Sequence, residues 1–202
     1  MRRTFVIGVS VAAMLGLLWT IYAQSPPQRS SQQQQLRATA PGGGVAGDTV
    51  LPPWPAGRNP LDTISPVTDA MLATPAPGEW LTWRRTYDDL GFSPLKQITK
   101  ENVKNLRVAW SLTLPAGANE ATPLVHDGVI FVHSFGDNVQ ALDAATGHEL
   151  WHYSRKLPEN VRPAVKKNMA LYSNKLFVGT SDIHVVALDV KTGSVVWDQP
   201  IA

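Results

Sequence analysis

Apolar positions in the second half of the chain fall in short runs, and the runs return. Ile130-Phe131-Val132 and Leu176-Phe177-Val178 have the length and composition of a buried strand. Val139–Asp143 and His184–Asp189 predict a second strand in each copy. Each then meets Asp-x-x-Thr-Gly, a tight turn in which Asp caps backbone N–H groups and Gly takes positive φ at no steric cost. The strand after the turn carries Trp151 or Trp197. The pattern A-x-D-x-x-T-G-x-x-x-W thus stands at 141–151 and at 187–197, 46 residues apart without a gap. Between 130–151 and 176–197, nine of 22 positions are identical. Ordinary residue frequencies would give about one or two matches.

A lone β-meander cannot bury both faces, so each copy must stack on a neighbour of its own kind. The tryptophan is the natural peg. Burying such a side chain removes ~150–250 Å² from water and contributes roughly 4–6 kcal/mol as an upper bound. A period in the range of about 40–50 residues is that of propeller blades. The predicted fold class is all-β: an incomplete β-propeller of about two blades plus a lead-in strand, with an apolar helix at the N-terminus. Complete propellers have at least about four blades, so two leave apolar faces open to water.

The chain before the repeats divides by composition. In residues 1–23, Arg2-Arg3 precede an apolar run from Phe5 to Ala23, and Ile21-Tyr22-Ala23 offers a cleavage site. The segment reads as a cleaved signal peptide or as a retained membrane anchor, since the run is just long enough to span a bilayer. Either reading places the remainder outside the cytoplasmic membrane. Residues 24–78, rich in Pro, Gln and Gly, read as a disordered linker with one helical turn at Asp69–Ala73. The propeller portion is expected at 79–202, with a lead-in helix and strand over 79–115 and blades at 116–160 and 161–202. In the lead-in, Thr99 fits an N-cap, Val103 and Leu106 share a helix face, and Leu106–Leu112 reads as a strand carrying Trp110.

Charge and composition exclude several classes. The net charge of +2 becomes zero without Arg2 and Arg3, so no basic surface for nucleic acid is implied. Without cysteine there is no disulfide, thiolate metal site, c-type haem attachment or lipobox. Asp88-Asp89 before Gly91 reads as an acidic turn, because no third carboxylate follows at calcium-loop spacing. The histidines, 126, 133, 148, 152 and 184, show no metal-ligand spacing and are expected at the surface or at blade interfaces.

The repeated A-x-D-x-x-T-G-x-x-x-W resembles the tryptophan-docking motif of pyrroloquinoline quinone (PQQ) quinoproteins, eight-bladed periplasmic propellers that oxidise alcohols or sugars. Phe92-Ser93-Pro94-Leu95-Lys96-Gln97-Ile98, then Asn102–Leu106, then Ala109-Trp110 is similar to the N-terminal segment of PQQ-dependent alcohol and glucose dehydrogenases, the methanol and ethanol dehydrogenase-like group. The resemblance covers about residues 79–202 and implies PQQ as cofactor, with Ca²⁺ held by ligands in later blades. Within Asn119-Glu120-Ala121-Thr122-Pro123, Glu120 falls where the family places a cofactor-binding glutamate. Lys167 takes the place of the family's cofactor-binding arginine and lacks its planar fork. The adjacent-cysteine ring on which many members stack PQQ falls at Val161 and Arg162, so this chain resembles a branch without it.

The resemblance implies the N-terminal portion of a periplasmic alcohol dehydrogenase, inactive by itself. Its partners would be an alcohol substrate and a cytochrome c or quinone as electron acceptor. A retained anchor would tie it to the inner membrane. No catalytic residue and no metal ligand is expected within these residues. The alternative is a non-catalytic propeller module for protein–protein interaction in the cell envelope, since fold alone does not fix function.

Overall fold

A computed structural model describes residues 59–166 and 168–201. Residues 1–58, which include the expected signal or anchor at 1–23, together with Lys167 and Ala202 lie outside the described residues. Two four-stranded antiparallel sheets follow one another in sequence. The first contains β1 (Leu124–His126), β2 (Val129–Ser134), β3 (Asn138–Asp143) and β4 (Glu149–Ser154), paired in that order. The second contains β5 (Met169–Tyr172), β6 (Lys175–Gly179), β7 (His184–Asp189) and β8 (Val195–Pro200), again in order. These are the two blades that the repeat predicts. Each has a bulge at the same repeat position, between Ala141 and Leu142 and between Ala187 and Leu188. The bulge sets Trp151 opposite Ala141, and Trp197 opposite Ala187. Phe131 and Phe177 then lie 5.9 and 5.8 Å from those indoles, tilted by 45° in both blades.

The repeated turn has the chemistry its sequence predicts. Asp143 Oδ1 accepts from the amides of Ala145 (2.8 Å) and Thr146 (2.9 Å). Asp189 Oδ1 accepts from those of Lys191 and Thr192, both at 3.0 Å. Gly147 and Gly193 close the turns at φ of 73° and 69°. A second reason for glycine is the neighbouring tryptophan. The Trp110 indole N–H donates to Ala144 O at 3.2 Å, and that of Trp151 to Val190 O at 2.9 Å. A Cβ on Gly147 would lie 2.5 Å from the Trp110 ring, and one on Gly193 would lie 2.6 Å from the Trp151 ring. Each tryptophan therefore docks on the turn of the next unit, by hydrogen bond and by ring contact together.

Residues 59–78 differ from the linker expected of them. Leu61, Ile64 and Val67 are buried in the same core as the blades. Val67 exchanges two 2.8 Å backbone hydrogen bonds with Ser173, and Trp80 pairs with Val125. The helix α1 does form over Asp69–Ala73, with Thr68 Oγ1 capping the Met71 amide at 3.3 Å. Composition counts the Pro and Gly of this segment but misses three apolar side chains that an existing sheet edge can cover. The entropy of ordering it is offset by burial that the segment alone could not supply.

The lead-in is also less regular than expected. A 3-10 turn at Val103–Asn105 replaces the helix; ahead of it the Thr99 carbonyl accepts from the Val103 amide at 2.9 Å and Asn102 Oδ1 accepts from the Thr99 amide at 2.7 Å, the bonds of a cap at Thr99. Leu106–Leu112 forms no strand, and Ser111 alone makes an isolated bridge. Phe92, Ile98, Leu106 and Val108 are exposed here, as are Val195 and Val196 on β8. Among the described residues, no helix is long and apolar enough to cross a membrane.

Docking predicts a sharp contrast between two glycines. Gly193→Ala should cost about 1–3 kcal/mol in urea unfolding, because its Cβ meets a packed indole. Gly179→Ala, with nothing within 4 Å of the new Cβ, should stay within about 0.5 kcal/mol of the parent.

Candidate functional site

The antiparallel order gives each blade two ends. One end carries the β1–β2 and β5–β6 turns together with the Asp-x-x-Thr-Gly turns. The other carries the β2–β3 and β6–β7 turns together with the segments that lead into β1 and β5. Charged side chains are buried at both ends, in different arrangements.

At the first end, His126 closes β1 and is 1% exposed. Its Nδ1 lies 2.7 Å from Glu79 Oε2, and its Nε2 lies 2.8 Å from the Ser65 carbonyl. The Ser65 carbonyl accepts, as does a carboxylate oxygen, so the two contacts favour a ring that donates from both nitrogens. Burial alone would lower the imidazole's pKa, but the bonds to Glu79 and Ser65 and the charge of Asp127 outweigh it and raise it. Asp127 Oδ2 accepts from the Ser65 hydroxyl at 2.6 Å and from its amide at 2.8 Å. Burial pushes the Asp127 carboxyl up, and these bonds together with His126 bring it below its ordinary value. Glu79, His126 and Asp127 lie close enough to resemble a metal triad. Both ring nitrogens, however, already hold hydrogen bonds, Nδ1 to Glu79 and Nε2 to the Ser65 carbonyl, so an ion would have to displace one of them. The cluster is a clasp that ties residues 65 and 79 to the first blade.

The second end holds Glu120, one of the two residues expected from sequence. Glu120 is exposed on the segment leading into β1. Its neighbour Asn119 is fixed on two sides, accepting from the Phe135 amide at 2.7 Å and donating to Pro115 O (3.1 Å) and Gly117 O (3.3 Å). Asn119 also forms a parallel bridge with Lys166, the residue before Lys167. Lys167 lies outside the described residues. Val161 donates its amide to Pro158 O at 2.9 Å in a turn, and Arg162 is exposed.

Sequence reading misses the buried charges beside Glu120. Lys166 is 5% exposed and ion-pairs with Asp137, which is fully buried in the β2–β3 turn. The Ser181 amide donates to both Asp137 oxygens, at 3.2 and 3.0 Å. Burial would raise the Asp137 carboxyl, but the attraction of His133, Lys166 and Ser181 holds it well below the usual carboxylate range. His133 Nε2 lies 3.8 Å from Asp137 Oδ1, an electrostatic contact longer than a hydrogen bond. Nearby, Arg155 spans Asp182 and Asp198, each at 2.7 Å, and joins the end of β4 to the second blade. The one signal available in the sequence was the repeat itself, since Lys166 stands 46 residues after Glu120. The histidines divide accordingly: His126 and His133 are buried, while His152 is exposed and 3.1 Å from Asn138 Oδ1. His126 departs from expectation, because it faces the segment 65–79 and not a second blade.

Residues 80–199 match the PQQ family described as glucose/ethanol/alcohol dehydrogenase, beta-propeller domain. The chain is 45% identical over 130 residues to quinohemoprotein alcohol dehydrogenase ADH IIB of Pseudomonas putida, covering 61% of this chain and 19% of that protein. It is 42% identical over 126 residues to 1-butanol dehydrogenase (quinone) of Thauera butanivorans, covering 59% of this chain and 20% of that one. Among solved structures, quinohemoprotein alcohol dehydrogenase from Comamonas testosteroni superposes with a TM-score of 0.61 at 33% identity, over 69% of this chain and 23% of that one. A europium-containing methanol dehydrogenase gives a TM-score of 0.60 at 31% identity, over 66% of this chain and 24% of that one. The chain spans about a fifth of the length of the curated relatives it matches.

The clasp generates a pH-dependent expectation. His126 is raised in the folded state, so its stabilisation is complete below the ordinary value of about 6.5 and fades as pH rises through the raised value. His126→Ala should cost about 3 kcal/mol near pH 6 and clearly less at alkaline pH. Parallel urea unfolding of parent and variant across pH measures the difference.

Proposed function

The chain belongs to the PQQ family of glucose/ethanol/alcohol dehydrogenase propellers, and on that premise we propose that it supplies the lead-in and first two blades of an enzyme that oxidises alcohols. The match over 80–199 carries this reading, because it takes in the lead-in string as well as the docking repeats. Relatives named as alcohol and 1-butanol dehydrogenases support an alcohol as substrate class. The quinohemoprotein and quinone names support a haem, cytochrome c or quinone as electron acceptor. Residues 1–23 would carry the folded part into the periplasm, as a cleaved signal or as an inner-membrane anchor.

The donor set at the second end fits part of a PQQ site. PQQ, when bound, supplies the two-electron oxidant that protein side chains lack. An exposed carboxylate at residue 120, on a segment pinned at Asn119, suits hydrogen bonding that orients a polar cofactor. The buried ammonium of Lys166 is committed to Asp137 and Ser181, so it is not the cation for the cofactor's carboxylates. That role falls to Lys167 in this reading. Calcium takes six to eight oxygen ligands, and among the described residues the one group of three metal-capable side chains lies at the other end of the blade. Calcium ligands and the general base are accordingly proposed to lie in further blades. The chain's own contribution is binding and orientation.

Two experiments test this. Titrating PQQ into the full-length gene product should show saturable binding, weakened about tenfold or more in Glu120→Ala by loss of one charge-assisted hydrogen bond. Equal affinity would remove Glu120 from the site. The 202-residue chain supplied with PQQ, Ca²⁺ and alcohol should reduce no electron-accepting dye. Measurable reduction would contradict the assignment of the chemistry to further blades.

A further inference from the structure

An ammonium group does not enter a protein interior without compensation. Lys166 is compensated by Asp137, and the pair is more than a local contact because each partner holds other segments. Asp137 occupies the β2–β3 turn at φ 55°, a conformation that few non-glycine residues adopt. Its backbone carbonyl accepts from the Arg155 amide at 3.2 Å, and its carboxylate accepts from the Ser181 amide in the next blade. The Ser181 hydroxyl accepts from Lys166 Nζ at 2.8 Å and from the Ala164 amide at 2.9 Å. The turn of one blade, the turn of the next and the segment leading into β5 therefore meet at one buried ion pair.

The backbone of Lys166 carries that fixation further. It bridges Asn119 in parallel, and Asn119 is in turn bound to the Phe135 amide of the β2–β3 turn. Glu120 is the next residue after Asn119, and Lys167 is the next after Lys166. The two expected cofactor contacts thus each follow one member of a single backbone bridge.

We infer that Lys166 is a positioning residue of the PQQ site: its buried ammonium, locked on Asp137 and Ser181, holds its own backbone against Asn119 and so places Glu120. The inference rests on the proposed role of Glu120. Lys166 acts through the backbone bridge and does not touch the cofactor. Displacements of about 1 Å in such a scaffold can cost up to a hundredfold in function.

The test uses the full-length gene product and PQQ titrations followed by tryptophan fluorescence, with apo-protein melting as control. Lys166→Met alone would strand the Asp137 charge, so the pair is neutralised together as K166M/D137N. Asn tolerates the left-handed turn and keeps an acceptor for Ser181. The double variant should fold and bind PQQ about tenfold more weakly, and adding E120A should then cost under about twofold, because Glu120 is already misplaced. If the double variant does not fold, Ser181→Ala, which removes only the shared hydroxyl, should give the same non-additive cycle with a smaller loss of about threefold.

Unchanged PQQ affinity in the folded variants, or an E120A loss that multiplies in full on top of theirs, overturns the inference alone. A parent protein that takes up no PQQ, or an E120A variant that binds unchanged, overturns the reading of Glu120 and the inference with it.

Discussion

The indole of Trp151 does two things at once. Its N–H donates to Val190 O, and its ring lies where a Cβ on Gly193 would stand. The first contact satisfies a polar atom that burial would otherwise leave costly, and the second removes a large apolar area from water. Neither works without the other, because ring contact needs a bare glycine and the hydrogen bond fixes the ring's angle. Trp110 repeats the arrangement on Ala144 and Gly147. The bulges opposite Trp151 and Trp197, the Asp-capped turns and the tilted Phe–Trp pairs all serve this one contact between successive units.

With the blades locked in this way, their two ends are free to differ. At one end the buried His126 ring closes residues 65 and 79 onto β1, through bonds to Glu79 and to the Ser65 carbonyl. At the other end Asp137, Lys166 and Ser181 knit the turns of both blades beneath an exposed glutamate. Both are buried charge clusters, and only the second lies on the segments that the family resemblance connects with a cofactor. The first end is structural in character, and the second places a functional group on a rigid support.

Much of this was legible in the sequence. A repeat of 46 residues with Asp, Gly and Trp in register states the strand order, the turn and the docking contact, because each follows from local chemistry. What was not legible depends on surfaces the repeat builds. Leu61, Ile64 and Val67 sit among prolines and read as linker, yet they are buried once the blade edges exist to receive them. Sequence does not single out Lys166, since nothing local shows that Asp137, 29 residues earlier, lies across the seam between blades. The apolar pattern at 106–112 likewise reads as a strand, where the structure has one isolated bridge at Ser111.

The most direct measurement is hydrogen exchange at the indole N–H groups. If docking on the next unit holds the structure together, the Trp151 indole should exchange only through global unfolding, with the same urea dependence as the amides of β2 and β3. The indole of Trp83, a residue 45% exposed, should exchange far faster. A Trp151 indole that exchanges as freely as that of Trp83 would show that the blades do not lock through this contact.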